Sequence, residues 1–147
     1  MIIQGLKVVL EEADVAAWAR NGLSAVNQVK DVTFGLAPGL AKLGGKFQVG
    51  FSIPFETHWS VEVLESGRKL GVRLEHVSVG FFGMNAETVS AQVMGALAKK
   101  FEGVSGVTVK DNAIVVEPVV LFAAKGVRLD APIRRVEVKQ GRVELEV

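Results

Sequence analysis

The sequence predicts an α+β fold, in which a long, curved, mainly antiparallel β-sheet wraps on one or two amphipathic helices. Three observations carry that expectation. Apolar residues recur at every second position over most of the chain, the period of a strand with one buried face. Two segments depart from that period and follow helical spacing instead. Helical and extended segments do not alternate one by one, as a parallel βαβ fold requires. No linker, low-complexity run or internal repeat divides the chain, so one domain over residues 1–147 is expected.

Taken in order, Leu6, Val8 and Leu10 alternate as a first strand. Glu11 to Asn21 reads as a helix. Val15, Trp18 and Ala19 lie at helical spacing, and Glu11, Glu12 and Asp14 sit in the first turn, where the helix dipole favours acids. Asn21-Gly22 supplies a stop. Val32, Phe34 and Leu36 form the next strand, and the glycine-rich Gly39–Phe47 stretch reads as a flexible turn.

From Phe47 to Val63 the odd positions are apolar or aromatic and the even ones mostly polar. This is long for one strand, and Pro54, which cannot donate to a ladder, suggests a kink, an edge or a break near Pro54–Thr57. Glu65-Ser66-Gly67-Arg68 reads as a hairpin turn. Leu70, Val72 and Leu74 line the return strand. The phase then flips after Glu75-His76 to Val77, Val79 and Phe81, the mark of a β-bulge.

The second helix is better marked. Asn85 is a good N-cap, Met84 can staple against Val89, and Val89, Val93, Met94, Leu97 and Phe101 form one stripe before Gly103. Val107 and Val109 alternate ahead of an Asp111-Asn112 turn. Ile114 to Ala124, interrupted only by Glu117-Pro118, is apolar on both faces and reads as a strand covered on both sides. Val127, Leu129, Ala131 and Ile133 suggest another strand, with a phase flip at Arg134-Arg135. Lys139-Gln140-Gly141-Arg142 closes a terminal hairpin between Val136/Val138 and Val143/Leu145/Val147.

Composition narrows the function classes. Seventeen Lys+Arg against sixteen Asp+Glu leave a net charge of +1, with no one-sided basic footprint for nucleic acid. Lys99-Lys100 and Arg134-Arg135 read as solvated surface. The absence of cysteine removes disulfides, thiolate metal sites and cysteine nucleophiles. The chain is 49% hydrophobic, with a mean hydropathy of +0.33. Charges nevertheless interrupt every apolar run well short of the roughly 20 residues a spanning helix needs. No leader-like order of charge, apolar core and cleavage site appears, so a cytoplasmic protein is expected, or an exported one if a leader was removed.

Catalytic motifs are missing. Gly39–Phe47 misses the phosphate-loop pattern: Gly45 stands where lysine is needed and Phe47 where a hydroxyl is needed. No Gly-x-Ser-x-Gly elbow or close carboxylate pair is present. Glu56 and His58, two apart on one strand face, supply two metal ligands where a zinc site wants three or four, so an exposed strand histidine is the favoured reading. No enzyme activity, metal or cofactor is expected.

The aromatic face remains. Phe47, Phe51, Phe55 and Trp59 share one side. Phe81, Val93, Leu97, Phe101 and Phe122 are expected to join them, either as an ordinary core or as the wall of an apolar cavity between curved sheet and helix. The helix start Leu10-Glu11-Glu12-Ala13-Asp14-Val15-Ala16-Ala17-Trp18 resembles that of small bacterial tubular lipid-binding proteins. These are related to bactericidal/permeability-increasing protein and include LmeA-like members. The resemblance implies long curved strands, a second amphipathic helix at Asn85–Phe101, further strands over Val104–Val147, and no catalytic residues. The expected function is therefore binding of an apolar small molecule or lipid. The alternative is an interaction domain that forms a homodimer through the apolar Ile114–Ala124 segment or an exposed edge.

Overall fold

The computed structural model describes residues 2–3, 6–23, 29–48, 50, 52–80, 86–129 and 132–147. The strands and helices follow in the order β1 (Ile2–Ile3), β2 (Lys7–Glu11), α1 (Glu12–Leu23), β3 (Val29–Ala37), β4 (Leu40–Gln48), β5 (Ser52–Leu64) and β6 (Lys69–Val79). Then come α2 (Ala86–Lys100), β7 (Val107–Lys110), β8 (Ala113–Val116), α3 (Pro118–Ala124), β9 (Arg128–Leu129), β10 (Arg135–Lys139) and β11 (Arg142–Glu146). The expected α+β class holds. A six-stranded antiparallel sheet runs β3-β4-β5-β6-β8-β7, and a three-stranded antiparallel sheet runs β10-β11-β2. The larger sheet is open, with β3 and β7 at its edges. Among the described residues no helix is long and apolar enough to cross a membrane.

One core joins these parts. The inner face of β3–β6 contributes Val29, Leu36, Leu43, Phe47, Ile53, Phe55, Trp59 and Leu74. From α2 come Val89, Val93, Met94 and Leu97, the stripe expected from sequence, with Phe101 packed partly buried against it. Leu23 of α1, and Val138 and Val143 of the small sheet, close the remaining sides. The Asn85 cap and the Met84 staple lie outside the described residues.

The bulge expected at Glu75-His76 is present. His58 pairs with His76 and Trp59 with Leu74, so Glu75 is the extra residue on β6. It lets Leu74 and Val77, three apart, both turn inward, and it twists the two longest strands.

Several expectations are corrected. Phe47–Val63 is two strands, β4 and β5, joined through residues 49–51, and Pro54 lies inside β5. Phe47 is opposed to Ile53, and opposed residues share a face. Odd-position parity therefore passes through the connection and mimics one strand. Pro54 is tolerated because it pairs with Lys46 while its carbonyl accepts the Gly80 N–H at 3.0 Å. Gly39–Phe47 is not a flexible turn: only Pro38-Gly39 turns, and β4 begins at Leu40. Its glycines admit close neighbours. A Cβ at Gly44 would lie 3.0 Å from the Phe55 carbonyl oxygen, and one at Gly45 3.2 Å from the Phe55 ring.

Helix α1 starts at Glu12 and runs through Asn21 to Leu23. It buries Ala16 and Leu23 and leaves Trp18 61% exposed, because Trp18 points well away from the Ala16–Ala19–Leu23 stripe. Ile114–Ala124 is not one strand. β8 stops at Val116, Pro118 takes the first turn of α3, and the rest of the run is helical. The expected Val127–Ile133 strand shrinks to β9, which pairs in parallel with the unforeseen β1; Ala131 lies outside the described residues.

The exposed backbone of edge strand β3 is covered by Glu12 and the β10–β11 turn. The Leu36 N–H donates to Glu12 Oε1 at 2.9 Å, and the Leu36 carbonyl accepts from the Gly141 N–H at 3.2 Å. The Glu12 N–H in turn donates to the Gly141 carbonyl at 3.0 Å. At Leu36, therefore, the edge has no backbone group free for a foreign strand.

On the small sheet, Glu144 stands opposite Glu137, a repulsive pairing. Lys7 at 2.8 Å and Lys139 at 2.5 Å offset it, and Arg135 holds Glu137. The hydrogen bonds from Lys139 and then Lys7 lower the Glu144 carboxyl to about 2, well below the usual carboxylate range. A carboxyl lowered on folding adds stability that is complete above its unfolded pKa of about 4.3 and is lost as pH falls through the folded value. The urea midpoint is therefore expected to drop between about pH 4.3 and about pH 2. Glu144→Gln is expected to flatten that drop. An identical acid limb in the variant would contradict the assignment.

Candidate functional site

The candidate residues fall into three groups. Phe47, Phe55, Trp59, Val93 and Leu97 are all buried in one core cluster, in which α2 packs on β6, β7 and α1 while β10 packs on β5. The Phe47 and Phe55 ring centroids are 4.7 Å apart at 33°, a direct ring contact. Phe101 is partly buried at the margin. Phe122 is half-buried on α3, outside that core cluster. Phe51 and Phe81 lie outside the described residues.

The apolar layer contains one polar relay. Thr57 is fully buried on β5; its hydroxyl donates to the Leu43 carbonyl at 2.6 Å and accepts the Trp59 indole N–H at 2.8 Å. The relay satisfies the one polar atom of the indole inside the core.

Two shallow depressions open on the surface. One, of about 220 Å³, is lined by Val119, Ala123, Gly126, Val127 and Arg128; the other, of about 240 Å³, by Leu6, Lys7, Arg134, Glu146 and Val147. Both are smaller than the roughly 300–1,000 Å³ of an ordinary ligand pocket. Neither touches the aromatic layer.

The first depression belongs to an apolar surface that sequence reasoning misplaced. Every residue of α3, Pro-Val-Val-Leu-Phe-Ala-Ala, is apolar, yet only Pro118 is buried. Val119 is 46% and Val120 37% exposed, and Val104 nearby in sequence to β7 is 42% exposed. A helix apolar on all sides is normally enclosed. Here it is anchored by the Glu117 N–H on the Gly106 carbonyl at 2.7 Å and packs mainly on β9. Glu117 flanks its N-terminus and Lys125 its C-terminus. Proline after a charged residue was the available signal for a helix start.

The outer face of the large sheet is polar. Near its middle His58 and His76 are direct cross-strand partners, with ring centroids 5.4 Å apart at 48°. Glu56 Oε1 lies 3.3 Å from His58 Nε2, and Lys42 pairs with His58 from the other side. Among the described residues no group of three or more His, Cys, Asp or Glu is placed to hold a metal ion. No family model, no curated protein and no solved structure matches the chain, so the resemblance to tubular lipid-binding proteins stands on its residue pattern alone.

Proposed function

We propose that this chain is a non-enzymatic interaction domain that associates with a second copy of itself through α3. The observation that carries the reading is the exposed, wholly apolar α3, with Val119 and Val120 open to solvent. Contiguous apolar surface of this kind marks interaction sites. Two features favour a second copy as the occupant. Antiparallel packing of two α3 helices sets Glu117 of each against Lys125 of the other, so opposite charges meet at both ends. A net charge of +1 leaves little repulsion between copies.

Sedimentation equilibrium tests it. The wild-type chain is expected to dimerise, and Val120→Lys to weaken association by about tenfold or more, as loss of a central apolar contact does. Glu117→Lys is expected to weaken it too, and Glu117→Lys with Lys125→Glu to restore it. A chain that stays monomeric at high concentration, or a charge swap without rescue, would sink the proposal.

A second reading is the binding of an apolar small molecule or lipid between sheet and α2. It is favoured by the presence of Phe47, Phe55, Trp59, Val93 and Leu97 in one buried apolar cluster. The close Phe47–Phe55 contact makes room for a ligand conditional on separating packed rings. Native mass spectrometry of the purified chain with a lipid panel would detect it.

A further inference from the structure

We infer that His58 and His76 form a binding site for one divalent transition-metal ion of the imidazole-seeking class, such as Ni²⁺, Cu²⁺ or Zn²⁺. The two rings are brought together by the fold alone, since eighteen positions of sequence and the β5–β6 turn separate them. The Glu75 bulge shifts the β6 register by one, and that shift puts His76 directly opposite His58. With metal–nitrogen distances of about 2.0–2.1 Å, two imidazoles on one ion hold their centroids about 5 Å apart. The observed 5.4 Å is within a small side-chain adjustment of that spacing.

The surroundings point the same way. His58 Nε2 is the one buried side-chain nitrogen or oxygen among the described residues that makes no hydrogen bond. Such an atom normally has a partner, and an electron-pair acceptor is a partner a neutral imidazole nitrogen can take. Glu56 Oε1, 3.3 Å from that nitrogen, places a negative charge near the pair without completing a ligand group of three. Glu75 is engaged elsewhere, accepting the Ser60 hydroxyl at 2.6 Å. Lys42 opposes the added positive charge, but its flexible stem lets the ammonium swing into solvent. Two imidazoles with water in the other positions make an exchangeable site, weaker than a closed zinc centre of four protein ligands. The absence of cysteine and of any further histidine leaves this pair as the sole imidazole donors in the chain.

The test is calorimetric titration of the untagged, full-length chain with Ni²⁺. One ion per chain is expected, with His58→Gln and His76→Gln each weakening binding at least tenfold and the double variant little weaker than either. Excess Ni²⁺ is also expected to raise the wild-type Tm and not that of the variants, because only the folded chain pairs the rings. Absence of uptake by the wild type, or uptake unchanged in His76→Gln, would overturn the inference. Should His58→Gln misfold, His76→Gln decides alone, since the His76 side chain is exposed.

Discussion

Replacing Phe47 by alanine is expected to cost about 3–5 kcal/mol, the range for truncating a buried phenylalanine. Phe47 is 1% exposed and among the largest fully buried side chains. It sits opposite Ile53 and touches the Phe55 ring. Its removal forfeits apolar transfer energy and leaves a void between packed β-strands that cannot easily close. Set against a total stability of about 5–15 kcal/mol, the loss is severe. Urea denaturation reads it as a lower midpoint at unchanged slope. A loss below about 1 kcal/mol would show that the ring is not a closely packed core element. Combined with loss of a bound lipid in native mass spectrometry, that result would turn the apolar-ligand reading into the leading one.

Gly67→Ala is expected to be comparably damaging, although it adds one methyl group. Gly67 ends the turn between β5 and β6 at φ +94°, a conformation L side chains rarely adopt. A non-glycine residue held there costs about 1–3 kcal/mol from backbone strain alone. The new Cβ would also lie 2.3 Å from the Ile133 carbonyl oxygen and 2.9 Å from the Ile133 nitrogen. These are backbone atoms that cannot rotate away. The Ile133 N–H donates to the Gly67 carbonyl at 3.0 Å, and this bond ties the hairpin turn to the segment that enters β10. Displacing it should raise the total to about 3 kcal/mol or more. Amide exchange at Ile133 should accelerate in step. Gly39→Ala is the control: its φ is +73° but nothing lies within 4 Å of the added Cβ, so only the strain remains. Equal losses at the two sites would refute the steric argument.

Much of the architecture was readable where local chemistry decides it. Val89, Val93, Met94 and Leu97 spell out their own helical face. Leu74, Glu75, His76 and Val77 betray a bulge, because a strand cannot change faces without an extra residue. Asp111-Asn112 and Gln140-Gly141 mark turns that occur where expected. The errors lie where two structures share one pattern. Phe47 and Ile53 keep the same parity whether they follow along one strand or oppose each other across a hairpin. Ile114–Ala124 is apolar except for Glu117, so it has no period with which to separate β8 from α3. Gly44 and Gly45 look like freedom in a sequence and act as clearance in a sheet.

Local periodicity is enough to establish that this protein is α+β, which faces of β5, β6 and α2 turn inward, and that its hydrophobic excess is dispersed along the chain. Only the tertiary structure decided where that excess ends up: Phe47, Phe55 and Trp59 are enclosed, while Val119 and Val120 remain on the surface. It also decided that His58 meets His76. The physical reason is common to both outcomes. Periodicity depends on the direction of each side chain from its own backbone, which is local. Burial and pairing depend on what arrives opposite, and that is set by register and packing between segments far apart in the chain.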